Sequence, residues 1–387
     1  MEGMNPIAGA PLRGALVGYG FIGSFGHAPC YRDPASGLSL AAIADVSPAR
    51  QALAQKEFPL ARVYASWEEL LEREKALDFV DVAAPPVDHA AVALASFAKG
   101  FHVLCEKPLA WSLSEAREML VAARAARRVL FPCHNYRHAP VVRAVNATLA
   151  EGRLGPIGAL TLSTFRNTHA KGVLEWNTDW RRDRKISGGG IAMDHGSHSL
   201  YLTFEWLGSY PTSVSARIIN TQPARYDTED NVSAVFTFPN GFADCHLTWT
   251  AGMRKVVYTV QGSRGGLLVN DDELEIDLQR ATSGPEVAQG AVRWEVEKRS
   301  IASRWMDAGH ASWFGPVFAE FRRAVAQNDF VSRTTLESFR CLEAIDGIYR
   351  SAAEGGREVA LIGPATASVT APAIGIPAMT SGTSNIQ

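Results

Sequence analysis

The chain has 387 residues, room for two or three domains at roughly 100–200 residues each. Apolar residues make up 47% and charged residues 20%, enough to bury a full core without disulfide or metal staples. Its 38 Lys and Arg against 40 Asp and Glu leave a net charge of −2, so no cationic surplus exists to neutralise a nucleic-acid backbone. No apolar run reaches the roughly 18 residues that span a bilayer. Residues 1–13 carry Pro6, Gly9 and Pro11 where a signal peptide has its apolar core. The expectation is a cytoplasmic protein with neither nucleic-acid nor membrane partners. Five scattered cysteines without a CxxC pair fit small buried residues in a reducing compartment, not a disulfide framework or zinc ribbon.

Strand and helix signals alternate through the first third. Short apolar runs at 15–18, 38–44, 79–83 and 102–105 read as buried strands. Between them, 47–58 opens with Ser47-Pro48, a cap and first-turn pair. Segments 66–73, 87–99 and 112–127 also read as helices. This alternation predicts a parallel, doubly wound sheet whose last strand is 129–132. Beyond Pro132, strand-like character dominates 157–171 and 212–300. Segments 159–165, 212–219, 231–238, 243–250, 256–261, 266–269 and 292–297, with a Pro239-Asn240-Gly241 turn, predict a mostly antiparallel sheet. Helices are expected at 316–327 and 336–353. The stretch after Pro364 is rich in Ala, Pro, Ser and Thr, and poor order is expected there.

Gly18-Tyr19-Gly20-Phe21-Ile22-Gly23 follows the first strand and opens a helix, the context in which GxGxxG means a dinucleotide site. Gly18 allows the tight turn, Gly20 the approach of a pyrophosphate, and Gly23 close strand–helix packing. Phe21, Ile22 and the helix-start amides complete the cradle. Asp45 ends the second strand, where a carboxylate accepts hydrogen bonds from a ribose and repels a 2′-phosphate. NAD is therefore favoured over NADP. Arg50 is nearby and equally compatible with a solvent position on the helix. Lys107 follows the fourth strand; it reads either as a surface lysine or as a cleft residue that stabilises alkoxide character.

Asp194 and His198 follow the glycines at 188–190 and are four apart, on one face of the expected helix. A carboxylate and an imidazole so placed can orient a hydroxyl and take its proton. His195 is turned about 100° from Asp194 and 60° from His198, and no further ligand cluster is evident, so no metal is expected. Asn135 and Arg137 follow the last strand of the first sheet. Trp176, Trp180 and Arg181 combine aromatic faces with polar groups, which suits sugar rings. His310, with Trp313 and Phe314, is a further candidate from the late chain.

In combination, Gly18 to Gly23, Ala84-Pro85-Pro86 with His89, the stretch from Ala98 to Leu109 containing Glu106-Lys107-Pro108, and Gly188 to His198 resemble the Gfo/Idh/MocA oxidoreductases. The resemblance implies an α/β fold: an N-terminal Rossmann doubly wound parallel sheet plus a C-terminal α/β domain with a large open, mostly antiparallel sheet. The expected division is an N-terminal extension at 1–12, a dinucleotide-binding domain at 13–132, a substrate-binding and oligomerisation domain at 133–362, and a tail at 363–387. The resemblance further implies that Lys107 is catalytic, with Asp194 and His198 beside it. It puts Pro85, His89, Glu106, Lys107 and Asn135 at the cofactor, and Lys107, Arg137, Trp176, Trp180, Arg181, Asp194 and His198 at the substrate. His198 is read as general base or acid, Asp194 as orienter and Lys107 as electrostatic aid, with the reverse assignment to lysine open. One position departs from the family pattern: Tyr201 stands where an Asp is usual. The activity implied is NAD(P)-dependent oxidation of a secondary hydroxyl of a sugar, sugar derivative or cyclic polyol, or reduction of the matching ketone, by a homodimer or homotetramer. NAD-assisted glycoside cleavage and a non-catalytic nucleotide sensor are the alternatives.

Overall fold

The computed structural model describes residues 11–281, 292–302 and 310–361. The tail at 363–387 and the extension up to residue 10 lie outside them. Two sheets organise the chain. The first comes from β1 (Leu12–Val17), β2 (Leu38–Ala44), β3 (Arg62–Tyr64), β4 (Phe79–Val82), β5 (His102–Cys105) and β6 (Leu130–Pro132), all parallel, in the order β3-β2-β1-β4-β5-β6. Their connections are α1 (Ala28–Arg32), α2 (Pro48–Glu57), α3 (Trp67–Arg73), α4 (Pro86–Ala98) and α5 (Leu113–Ala126). The N-caps behave as the residue types predict: Ser47, Ser66 and Ser112 each accept from the amide three residues on. The glycine turn leads first into a wide π-type turn at Ile22–His27 and only then into α1, where Pro29 has no amide to donate.

After α6 (Pro140–Ala150) the chain enters β7 (Ile157–Phe165), and α7 (Arg184–Ser187) and α8 (Ile191–Leu207) follow. The rest of the second sheet is β8 (Ser213–Ile219), β9 (Asn231–Phe238), β10 (Gly241–Thr248), β11 (Lys255–Gly262), β12 (Gly265–Asn270), β13 (Glu273–Ala281) and β14 (Val292–Ser300). The late helices α9 (Ala311–Gln327) and α10 (Arg333–Ala353) precede the edge strand β15 (Val359–Ala360). The nine strands run β14-β13-β12-β11-β7-β10-β9-β8-β15 and are antiparallel except for β7 beside β10. Alternation buries Val232, Ala234, Phe236 and Phe238 against the helices. Register puts Val235, Phe242, Val296 and Trp294 on the opposite face, where they stay exposed.

One helix crosses back. α9 packs Phe314, Val317, Phe318 and Phe321 onto the face of the first sheet formed by Phe79, Leu104, Val129 and Phe131. Fully burying such side chains contributes about 1.5–3 kcal/mol each. The parallel sheet is thus completed by residues expected to belong with the second domain. Its edge strand β6 is covered by the same late segment, through the Leu130–Val331 bridge and a hydrogen bond from Thr335 Oγ1 to Leu130 O at 2.5 Å. Among the described residues no helix is long and apolar enough to cross a membrane.

Candidate active site

A cleft of about 670 Å³ runs across the carboxyl ends of β1, β2, β4 and β5 and under the second sheet. Its floor at one end is the glycine turn. Gly18 has φ +95°, and a Cβ there would meet the Ala83 carbonyl at 2.7 Å. A Cβ on Gly23 would meet Gly18 O at 2.2 Å, so this glycine packs the turn and does not line the cleft. A Cβ on Gly20 would meet no protein atom within 4 Å. The space over Gly20, beside Phe21 and Ile22, is a cradle that fits a dinucleotide phosphate.

Asp45 closes this end. Its Oδ2 accepts from Tyr19 N at 2.7 Å and its Oδ1 from Ser47 N at 2.8 Å. Arg50 is buried: it donates to Tyr19 O at 2.7 Å and Ser24 Oγ at 2.8 Å, bracing the glycine turn from below. Trp176 lines the cleft beside it, and the strap carrying Trp176 is tied across by Ser47 Oγ, which donates to Glu175 O at 3.0 Å.

Lys107 extends from the end of β5, and its Nζ donates to Asp194 O at 2.8 Å and lies 3.4 Å from Asp194 Oδ1. The peptide to Pro108 is cis. Glu106 reaches the cleft wall, but its carboxylate is engaged inward. Oε2 accepts from Lys107 N at 3.0 Å, and Oε1 lies 3.0 Å from His27 Nε2. His27 Nδ1 donates to Asp81 at 2.8 Å, and the Tyr31 hydroxyl donates to the same carboxylate at 2.7 Å. Burial alone lowers the pKa of His27, but the two carboxylates push it up to about 10. His27, Glu106 and Cys133 form a metal-type triad among the described residues, but a protonated ring has no lone pair to give.

Two expectations are corrected here. His89 does not line the cleft. It is buried, with Nδ1 2.9 Å from Pro108 O and Nε2 2.8 Å from Ala84 O, and it braces the loops whose outer face carries Pro85 and Lys107. Arg137 does not line the cleft either. Residues Asn135–His138 form a 3₁₀ turn with three residues per turn, so Asn135 faces the cleft while Arg137 is swung to another side. There it pairs with Glu337 and, at 3.2 Å, with Glu205.

α8 presents the remaining groups. Its first amides are capped by the buried Glu229, which accepts from Gly190 N at 2.9 Å and Ala192 N at 3.0 Å. Asp194 faces three partners: Lys107, Arg181 Nε at 3.1 Å and His195 Nδ1 at 3.0 Å. Burial would raise its pKa, but these neighbours hold it well below the usual carboxylate range. His198 stacks on Tyr136 with ring centres 3.7 Å apart, and its Nδ1 is 2.8 Å from the Tyr201 hydroxyl. Burial, then the charge of Lys107, holds its pKa well below the usual histidine range. Trp180 lines the wall under the Arg181 guanidinium, 4.2 Å from the ring centre. His310 also reaches the cleft, stacked on the buried Trp313 at 3.7 Å. Sequence reasoning missed Tyr136 and Arg166, and considered His195 only as a metal ligand; all three line the cleft.

Residues 12–134 match the model of an oxidoreductase family with an NAD-binding Rossmann fold, and residues 142–268 match the GFO/IDH/MocA C-terminal domain. The chain is 33% identical to D-apiose dehydrogenase of Paraburkholderia graminis over 76% of its own length and 78% of that protein. It is 32% identical to 1,5-anhydro-D-fructose reductase of Ensifer adhaerens over 60% of its own length and 69% of that protein. The structure of GenD2 from gentamicin A biosynthesis, in complex with NAD, superposes with a TM-score of 0.75 at 25% identity, covering 94% of this chain and 99% of that one. The chain therefore belongs to the Gfo/Idh/MocA family and is an NAD-binding oxidoreductase.

Proposed function

We propose that the protein oxidises a secondary hydroxyl of a sugar, sugar derivative or cyclic polyol, or reduces the matching ketone. The observation that carries this reading is the approach of Lys107 Nζ to Asp194, 2.8 Å from its carbonyl, in the cleft that also holds His198 and the glycine turn. Relatives named for action on D-apiose and 1,5-anhydro-D-fructose support a sugar substrate. NAD is favoured over NADP because Asp45 faces the ribose end while Arg50 is held beneath the turn, away from any 2′-phosphate. Bound NAD supplies the hydride acceptor for the alcohol carbon.

The proton is the protein's task. The Tyr201 oxygen accepts from Tyr136 N at 3.1 Å, and its own hydrogen has one acceptor among the described residues, His198 Nδ1. His198 then carries its hydrogen on Nε2 and donates to the substrate oxygen. Lys107, in its neutral amine form, takes the hydroxyl proton and becomes the ammonium, and Asp194 holds Lys107 and Arg181 in place. This division reverses the one expected from sequence. Replacing Lys107 by Met should lower kcat by about 10³-fold with NADH affinity unchanged, and His198→Gln by about 10²-fold. Full turnover in both variants with a genuine substrate would sink the assignment.

The five cysteines, all free and buried, support a reducing, cytoplasmic setting. The exposed apolar face with Val235, Phe242, Val296 and Trp294 supports a homodimer or homotetramer built on the open sheet. A second reading, glycoside cleavage through transient oxidation, is favoured by the strap tied from Glu175 to Ser47, since that chemistry keeps its cofactor in place between turnovers. Release of an aglycone without net NADH would establish it.

A further inference from the structure

Arg166 follows β7 directly and is only 8% exposed, yet it lines the cleft. Its backbone is fixed by hydrogen bonds to Thr248 O at 2.9 Å and from Ala251 N at 3.0 Å. Its guanidinium donates to Phe165 O at 3.1 Å and to the Tyr136 side chain. Among the described residues no carboxylate lies within ion-pair distance of it. The other basic groups named on this wall are matched: Lys107 and Arg181 share Asp194, and Lys171 holds Asp179 at 2.6 Å. Lys107 and Arg181 thus share the carboxylate of Asp194, while Arg166 on the same cleft has none among the described residues. A buried charge without a counter-ion is costly, and the cost is relieved when a ligand brings the opposite charge.

We propose that the substrate is an anionic sugar derivative, a uronate or aldonate, whose carboxylate pairs with Arg166. A single planar guanidinium suits a carboxylate, which it can hold through two parallel hydrogen bonds. The neighbouring imidazoles add donors but no charge. Burial lowers the pKa of His195, and burial with the charges of Arg166 and Arg254 lowers that of His310 to about 4. Arg166, Lys107 and His195 line the same cleft, so one bound sugar can meet both the anion site and the reacting groups. The assignment rests on the dehydrogenase reading and narrows its substrate class.

The test titrates the NADH-loaded protein with D-glucuronate, D-galacturonate and D-gluconate beside D-glucose, D-galactose and D-glucose 6-phosphate, reading the fluorescence of the bound NADH. NAD-linked turnover is followed on the same panel. At least one acid should bind about tenfold or more tighter than its neutral counterpart. R166Q should weaken that acid about 100-fold while changing neutral sugars by less than about threefold. R166K, which keeps the charge but not the fork, should recover part of the loss. The proposal is overturned if no acid binds at about 10 mM, if neutral or phosphorylated sugars are preferred, or if R166Q weakens acids and neutral sugars alike. Failure to bind NADH, or acid binding without turnover of any probe, would count against the dehydrogenase reading instead.

Discussion

His198 shows how one neighbour can set a residue's chemistry. Its ring faces Lys107, Asp194, His195 and His134, and its Nδ1 meets a phenol, the Tyr201 side chain. A neutral partner leaves the imidazole neutral through the working range, so wild-type kcat/KM should show no ionisation of His198 between about pH 5 and 8. Tyr201→Asp reverses this. An Asp carboxylate accepts from Nδ1–H and favours the imidazolium, raising the histidine pKa by about 1–2 pH units. With Nδ1–H held by the carboxylate, the neutral ring has no hydrogen on Nε2 to donate and only the imidazolium does, so activity in that variant should fall as pH rises through the new value; a pH–rate profile without the added basic limb would refute the role given to Tyr201. The face shared by Asp194 and His198 was legible because helix spacing is a local rule, whereas for Lys107 the strand end alone left a surface and a cleft position open. Arg166 obeys the same strand-end rule, and the strand was expected to end at Phe165, but no motif around Arg166 singled it out. Arg137 was misplaced because a 3₁₀ turn rotates successive side chains differently from a strand end or an α-helix.

At the scale of elements, the strands Leu38–Ala44 and His102–Cys105 matched their expected bounds because short buried runs end sharply where helices begin. β3 has three residues, too few to form a pattern. α6 contains Val141, Val142 and Val145, which favour strand by propensity, and it is helical because those side chains are buried. α9 starts at Ala311, five residues before the expected start at Pro316, with Trp313 and Phe314 buried in its first turn. Its partners on the first sheet are invisible to local reasoning, since Phe321 packs on Phe79 with ring centres 5.3 Å apart. Phe321→Ala should cost about 3–5 kcal/mol. Urea unfolding gives the value, and a loss under about 1 kcal/mol would mean that α9 is a removable cover.

For the whole molecule, the open sheet is the surface with most to explain. Its register brings Val235, Phe242, Val296 and Trp294 to one side, and Trp294 is 55% exposed. Scattered apolar side chains are ordinary on a protein surface, but a set aligned on one sheet face favours a self-complementary contact. Trp294→Asp combined with Phe242→Asp should shift the protein toward monomer in sedimentation while leaving NADH binding intact. An unchanged mass would move the interface elsewhere.

The return of α9 to the first sheet also bears on how the protein is made. β6 leaves the ribosome long before Phe318 and Phe321 exist, because roughly 200 residues separate them, about 10–40 s of synthesis. Over that interval Tyr31 already stacks on Phe79, but the part of the Phe79 and Phe131 face that α9 covers stays open. The Rossmann half cannot finish folding as it emerges. It must wait, sheltered by a chaperone or exposed to aggregation, for a helix encoded near the other end of the message.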